Sequence, residues 1–244
     1  MSEYLNDFKV LPKKQLPSGA QFGVSFTTVT VNAPKNISYL YDRLKRTYGV
    51  RFVRQRIPSL HAAFTSPTTK VAFNCIGNAA RTFPGVEDSR CFPTRGQVVL
   101  VKAPHVFSNI MRHGNGYETY VIPRPESNGY VTLGGYMQKN VEDASTYSYE
   151  TESILTRTRD LSHELRVSDF EVLGVFSGMR PSREGGARIE RDELAMHGER
   201  KVVVHNYGAG GTGFQAGYGM AMEAVGAVHD ILGTIDKTEI QARL

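Results

Sequence analysis

Residues 202–215 read Val-Val-Val-His-Asn-Tyr-Gly-Ala-Gly-Gly-Thr-Gly-Phe-Gln: a strand-like run, a glycine-rich turn and the start of a helix. Gly208, Gly210 and Gly213 stand at G-x-G-x-x-G spacing, where missing side chains let backbone N–H groups at a helix N-terminus approach a ligand. The chemistry this favours is the holding of a nucleotide cofactor. A dinucleotide fingerprint, however, opens a βαβ unit of about 30 residues and is followed by an acidic residue roughly 20 positions on. Here the helix expected from Gln215 to about Leu232 is stopped by Gly233, and eleven residues follow. That is too few for a second strand and the rest of such a fold, which disfavours an NAD-dependent dehydrogenase built on this loop. Two readings stand: a late element of a cofactor site whose first part lies elsewhere, or a tight structural turn.

The elements that must position this loop alternate in type, without an internal repeat. Ser25 to Val31 has the β-branched and aromatic content of a strand. A helix is expected next, capped by Asn36 or Ser38, with Ile37, Leu40, Tyr41, Leu44 and Tyr48 at helical spacing and Gly49 placed to end it. Val50 to Ile57, Val71 to Cys75, Gln97 to Val101 and Tyr130 to Leu133 read as short strands, and Glu150 to about Leu165 as a polar-faced helix. No Pro/Ser/Gly-rich linker divides the chain, so two domains would have to be interleaved.

Composition removes several classes of function. With 244 residues, 40% hydrophobic and 22% charged, the chain has the material for one sizeable core or two intertwined lobes. No apolar run approaches the roughly 18 residues of a membrane span, and Met1 to Asp7 lacks the basic start and apolar run of a signal peptide. Cys75 and Cys91 make neither a disulfide framework nor a zinc-ligand spacing; both are expected to be packing residues in a reducing compartment. The seven histidines include no H-E-x-x-H, so no metal is expected. The net charge of +5 raises the question of nucleic acid. Its densest source, Arg43, Lys45, Arg46, Arg51, Arg54 and Arg56, is interleaved with core-like Leu44, Phe52 and Val53 and reads as a solvated surface.

Several stretches, taken in order, are similar to the later part of the D-amino-acid oxidase family, which includes D-aspartate oxidases. They are Gly23 to Val29, Asn74-Cys75-Ile76-Gly77, Pro93-Thr94-Arg95-Gly96-Gln97, Tyr120-Val121-Ile122-Pro123-Arg124, Leu133-Gly134-Gly135-Tyr136, Met179 to Arg188 and His205 to Gln215. The resemblance implies a mixed α/β (α+β) fold, in which an incomplete FAD-binding, Rossmann-like domain is interleaved with a mixed-sheet substrate domain. The implied divisions are residues 1–33 and 98–185 for the substrate domain, and 34–97 and 186–244 for the FAD domain. The implied reaction is FAD-dependent oxidative deamination of a D-amino acid by O2, giving a 2-oxo acid, ammonia and H2O2. No enzymic base need take the Cα proton when hydride leaves Cα; the site must fix the carboxylate, align Cα and stabilise charge developing on the flavin.

Roles follow residue by residue from the resemblance. Arg180 is the expected carboxylate clamp, since a planar guanidinium makes two parallel charge-assisted bonds to it. Tyr120 matches a tyrosine whose hydroxyl contacts the same carboxylate, and Tyr136 lies near the position of a second active-site tyrosine. Gly211 matches a backbone contact to substrate. Gly210, Gly213, Phe214 and Gln215 match contacts to the flavin, where loop amides and the positive end of the following helix favour a reduced, anionic ring. Ile57 and Ile76 fall at two further cofactor positions; Ile76 replaces the usual threonine and forgoes its hydrogen bond. Without the resemblance, Arg180 reads as a surface or salt-bridge arginine and Tyr120 as a strand aromatic.

The stretch that holds the ADP half of FAD in the family has no counterpart in this sequence. The expectation is therefore weak or absent FAD retention, apolar surface left exposed and a tendency to aggregate. The alternatives are a catalytically silent fragment or interaction protein that keeps the scaffold, and D-aspartate oxidase specificity, for which Arg124 or Arg112 are candidate determinants. Ala242-Arg243-Leu244 resembles a peroxisomal address read by an import receptor, with a cytoplasmic location as the alternative. The remaining partners expected are a small-molecule D-amino acid and O2, with the chain a monomer or homodimer.

Overall fold

A computed structural model of the chain describes residues 3–114, 117–196 and 198–233. In chain order its elements are β1 (Lys9–Val10), β2 (Val24–Ser25), α1 (Ala33–Arg46), β3 (Val71–Asn74), β4 (Cys91–Lys102), β5 (Ile110–Gly114), β6 (Tyr117–Pro123), β7 (Tyr130–Tyr136) and β8 (Gln138–Lys139). There follow α2 (Ser148–Leu161), α3 (Glu164–Val167), β9 (Glu171–Arg183), β10 (Arg188–Met196), β11 (Glu199–Tyr207), α4 (Gly213–Gly226) and α5 (His229–Leu232). This mixed α+β chain divides into two units that interleave in sequence. One takes the chain up to Asn32, Gln97–Tyr136 and Thr146–Phe176; the other takes Ala33–Gly96, Met137–Ser145 and the chain from Ser177 onward.

In the first unit β5, β6, β7 and the second half of β4 form an antiparallel sheet in that order. Val99 and Val101 of β4, Val121 of β6 and Val131 and Leu133 of β7 form its core with Ile154 of α2 and Leu165 of α3. Along α2 the buried positions Ile154, Thr158 and Leu161 recur at helical spacing, which seats the helix on the sheet. Gln97 fixes where α2 begins: its side-chain amide donates to the Tyr147 carbonyl (2.8 Å) and its side-chain oxygen accepts the Tyr147 N–H (2.8 Å).

The second unit holds a three-stranded sheet, β10 antiparallel to β11 and β11 parallel to β3. Val202 and Val204 pack on Ala224 and Val228, while the intervening Val203 and His205 are also buried. β11 is thus covered on both faces, which is why its sequence is a continuous apolar run and does not alternate. The face carrying His205 and Tyr207 is polar inside. The His205 Nε2–H donates to Asp192 (3.1 Å) and its Nδ1 accepts from the Asn74 amide (2.9 Å), so a neutral imidazole satisfies both neighbours. Burial, with Arg188 nearby, pushes the His205 pKa down. Arg188 bonds both Asp192 (2.8 Å) and the Tyr207 hydroxyl (3.1 Å), and the Tyr207 hydroxyl in turn donates to Asp88 (3.0 Å). Arg183 Nε closes the chain of bonds on Asp88 at 2.7 Å.

Several expected elements take another form. Of Ser25 to Val31 only Ser25 lies in a strand, opposite Lys9, and Val29 is 85% exposed. Residues 50–57 form no strand; Phe52 stacks instead on Tyr41 (4.5 Å between centroids). β-propensity describes fit to a pleated, half-buried surface, and neither stretch has one here. α1 starts at Ala33, ahead of the expected caps, because Pro34 is tolerated in a first turn that needs no N–H. Its end is as the glycine requires: Gly49 has φ +62°, and the Val50 N–H reaches back to the Leu44 carbonyl (3.0 Å). The helix expected to run to Leu165 breaks at Ser162, which is extended, before α3 buries Leu165. The last helix breaks before Val228, which turns into the core between α4 and α5. Cys91 is buried as expected, whereas Cys75 is exposed and is not a packing residue.

Burial alone would raise the Asp88 carboxyl, but Arg183, Tyr207 and the Arg90 amide outweigh it and hold it at about 2. A depressed folded-state pKa gives stability that is complete above the ordinary carboxylate range and is lost as pH falls through the folded value. Asp88→Asn should therefore unfold at lower temperature than wild type at pH 5, with the gap closing by pH 2. A gap that stays constant across that range in thermal melts contradicts this account.

Candidate active site

Arg180 lies in β9, and its side chain rests on bare backbone. A Cβ placed on Gly96 of β4 would stand 2.3 Å from Arg180 Nη1 and 2.7 Å from Cζ, well inside any real contact. The guanidinium therefore occupies the space that any other residue at 96 would fill. Strand alternation explains how Gly96 comes to face it, since the flanking Arg95 and Gln97 side chains are turned inward and buried. Arg95 is held there by the Asp143 carbonyl (2.8 Å), Gln138 Oε1 (2.5 Å) and the Ser145 carbonyl (2.5 Å). The neighbouring Asn78 amide donates to the Met179 carbonyl (3.0 Å), fixing the strand just before Arg180.

The glycine loop meets the same strand. Ser182 and Ala209 form an antiparallel bridge, and the Ser182 hydroxyl bonds that of Thr94 (2.8 Å). Arg180 Cδ lies 3.5 Å from where a Gly211 Cβ would be, so the structure brings Arg180, Gly211 and Gly96 together in one unit. Gly208 is required by the chain itself: its φ is +87° and a Cβ would meet the Arg183 Cβ at 2.8 Å. Gly213 is different, because nothing stands within 4 Å of where its Cβ would be. A hollow of about 330 Å³ lies on one flank of the loop, lined among others by Ser182, Gly208, Gly210 and Met220. Gly210 is the one expected flavin contact that lines it; Gly213, Phe214 and Gln215 are exposed at the start of α4, with Phe214 55% exposed.

The first unit repeats the arrangement with a tyrosine. Tyr120 of β6 pairs directly with Gly134 of β7, and its ring covers the glycine pair. A Cβ on Gly134 would stand 2.1 Å from Tyr120 Cζ, and one on Gly135 would stand 2.9 Å from its hydroxyl. The Gly134–Gly135 peptide is cis. Tyr136 follows on β7, half-buried against the sheet core.

The remaining expected positions divide. Ile76 packs against the cluster of Ala80, Cys91 and Tyr207, so the side chain that replaces threonine serves the core. Ile57 is half-buried in a stretch without regular structure. Arg124 Nη2 donates to the Thr132 hydroxyl (3.3 Å) within its own sheet, and Arg112 Nη2 lies 3.1 Å from a Cβ placed on Gly19. Among the described residues no group of His, Cys, Asp or Glu is placed to hold a metal ion, and no helix is long and apolar enough to cross a membrane. Ala242-Arg243-Leu244 lies outside the described residues. Gly96 and Gly134 as floors went unread in the sequence, although a glycine inside a strand pattern is a signal of close approach by another group.

Known proteins agree with the motif order. The chain is 43% identical to the D-amino-acid oxidase of Schizosaccharomyces pombe over 227 residues, which is 91% of this chain and 64% of that protein. It is 33% identical to the D-aspartate oxidase of Cryptococcus neoformans over 271 residues, covering 90% of this chain and 66% of that one. The chain thus spans just under two thirds of the length of these relatives. Among solved structures, L-proline dehydrogenase from P. horikoshii superposes with a TM-score of 0.50 at 16% identity over 67% of this chain and 43% of that one, a likeness of fold. The family model described as FAD dependent oxidoreductase matches residues 5–226, and the chain belongs to that family.

Proposed function

We infer that the chain carries the substrate-binding arginine and a flavin-facing loop of an FAD-dependent D-amino-acid oxidase. The observation that carries this reading is the Arg180 guanidinium packed against Gly96, with Gly211 beside its Cδ, at the loop that opens α4. A guanidinium packed against backbone has fewer arrangements open to it, which favours two parallel bonds to a carboxylate. The residues present also fit the cofactor. Gly211 and Gly213 have no close neighbour in the chain that forbids a side chain, and both stand where α4 turns its free N–H groups and partial positive charge outward. Such a place suits an electron-rich ring edge that gains charge.

When bound, FAD supplies the two-electron acceptor and hands the electrons on to O2 to give H2O2. The chain supplies position and charge: Arg180 binds the substrate carboxylate, the Gly211 backbone lies beside that clamp, and the amides of the α4 N-terminus offset developing negative charge. Tyr120 and Tyr136 are proposed, from the resemblance alone, as substrate-contacting tyrosines. Loss of hydride from Cα leaves an imino acid, which water converts to a 2-oxo acid and ammonia. The sequence division into a substrate domain (1–33, 98–185) and FAD-domain parts (34–97, 186–244) remains a proposal; the compact units differ from it in assigning residues 137–145 and 177–185, Arg180 among them, to the unit that holds the glycine loop. Peroxisomal import through Ala242-Arg243-Leu244 suits an enzyme that releases H2O2; the last dozen residues fused to a fluorescent reporter should give peroxisomal puncta, and diffuse fluorescence would refute that part.

A second reading is a catalytically silent scaffold or interaction protein. It is favoured by an apolar stripe along α4, where Phe214, Tyr218, Met222 and Val225 recur at helical spacing and are 48–83% exposed. A flavin absorbance band in the purified protein supports the first reading, and its absence after FAD is supplied supports the second.

With FAD supplied, H2O2 release should depend on the D- and not the L-enantiomer of an amino acid. Arg180→Ala should lower kcat/KM by roughly tenfold to a hundredfold, from the loss of charge-assisted bonds worth about 1.5–3 kcal/mol each. Arg180→Lys should recover only part, having charge without the fork. Unchanged kcat/KM in the alanine variant would make Arg180 a structural residue.

Gly96→Ala tests the floor. The atoms its methyl would strike are the far end of a long side chain, which can swing away, so the fold should survive while the clamp is displaced. The expected result is a melting temperature within a few degrees of wild type (~1 kcal/mol or less) together with a KM raised about tenfold or more. Gly134→Ala should behave oppositely, because the Tyr120 ring it would strike is buried, and should cost roughly 1–3 kcal/mol of stability. Equal melting temperatures for the two variants would contradict the distinction.

A further inference from the structure

We propose that Arg157 is a positioning residue that sets the placement of Tyr120 and Tyr136. It stands on α2 and reaches the β6–β7 pair where that pair is irregular. Tyr117 is opposite Tyr136 and Tyr120 is opposite Gly134, so β6 advances three residues while β7 advances two. Such a bulge bends its strand and re-aims the side chains that follow. The first residue past this one is Tyr120.

The guanidinium spans the irregularity. Its Nη1 donates to the Glu118 carbonyl (2.8 Å) and to the buried Thr119 hydroxyl (2.6 Å), both inside the bulge. Its Nη2 donates to the Gly135 carbonyl (3.1 Å) on β7, between the floor of Tyr120 and Tyr136. The guanidinium carbon lies 5.3 Å from the centroid of the Tyr136 ring, within cation–π range. Nε is steadied one turn back by the Ser153 hydroxyl (3.2 Å). One planar cation therefore ties two strands together with fixed directions, something a lysine's single ammonium cannot reproduce. The extra residue in β6 would otherwise leave the register of Tyr120 over Gly134 less firmly defined.

The consequence for substrate rests on the reading of Tyr120 and Tyr136 given above, but the geometric claim does not. The test uses the full chain with its twelve tyrosines replaced by 3-fluorotyrosine, the resonances of Tyr120 and Tyr136 being assigned from Tyr120→Phe and Tyr136→Phe. In Arg157→Met and Arg157→Lys these two ¹⁹F resonances should shift or broaden, less so in the lysine variant, while distant tyrosines hold their positions. Unmoved Tyr120 and Tyr136 resonances overturn the proposal. So does collapse of the whole spectrum in both variants, which would mark Arg157 as a general structural tie. Turnover of a D-amino acid should show KM raised about tenfold in Arg157→Lys with kcat within about threefold. If wild type turns over no D-amino acid, the ¹⁹F result still decides the role of Arg157, and only the substrate reading falls.

Discussion

The guanidinium of Arg180 lies on the uncovered backbone of Gly96, and contacts on either side of both residues hold that approach in place. A single methyl at 96 would claim the same volume. Gly96 faces Arg180 because Arg95 on one side of it is pinned inward by three hydrogen bonds and Gln97 on the other is buried. β9 is held from both ends of the arginine, by Asn78 on the Met179 carbonyl and by the bridge from Ser182 to Ala209. In the role proposed for Arg180, such pre-organisation would help, since ordering a long, rotamer-rich side chain at the moment of binding consumes part of the binding free energy. Tyr120 likewise lies over a glycine, Gly134, with a stiffer and buried side chain.

Beneath the glycine loop the second unit uses buried charge where a hydrophobic core would be expected. Asp88, Arg183, Tyr207, Arg188, Asp192, His205 and Asn74 form a continuous chain of hydrogen bonds across the sheet. Such networks cost desolvation and are tolerated when their members are well paired; here most groups are bonded, while the buried Arg183 Nη2 has no hydrogen-bond partner among the described residues. Their directionality is the return: apolar side chains would let β10 and β11 slide, whereas each polar contact here is correct in one register only. That fixes the end of β11, and with it the point where Gly208 turns the chain toward α4.

The sequence carried part of this openly. β11 was readable because a run of three valines buried on both faces has no competing interpretation next to a glycine turn. Gly49 was readable because a helix that ends in a left-handed residue selects glycine. The roles expected of Arg180, Tyr120 and Gly211 rest on motif order and on no local property; alone, Arg180 is indistinguishable from a surface arginine. β9 and β10 were unread because their less exposed positions include arginine and aspartate, which a hydrophobicity pattern assigns to solvent. The strands expected at 25–31 and 50–57 failed for the reverse reason: strand-forming composition was present, but a partner surface was not. The floors at Gly96 and Gly134 left a legible mark, a glycine within a strand, but that mark says only that something approaches closely and not which side chain it is.

A double-mutant cycle isolates whether Gly96 acts on substrate through Arg180. KM and kcat/KM would be measured for wild type, Gly96→Ala, Arg180→Ala and the double variant with the same D-amino acid. If the glycine acts by leaving room for the guanidinium, the double variant should be no worse than Arg180→Ala alone, since the group the methyl displaces is already gone. Losses that simply add, so that Gly96→Ala impairs the enzyme equally with and without Arg180, would show that the contact has no part in binding substrate.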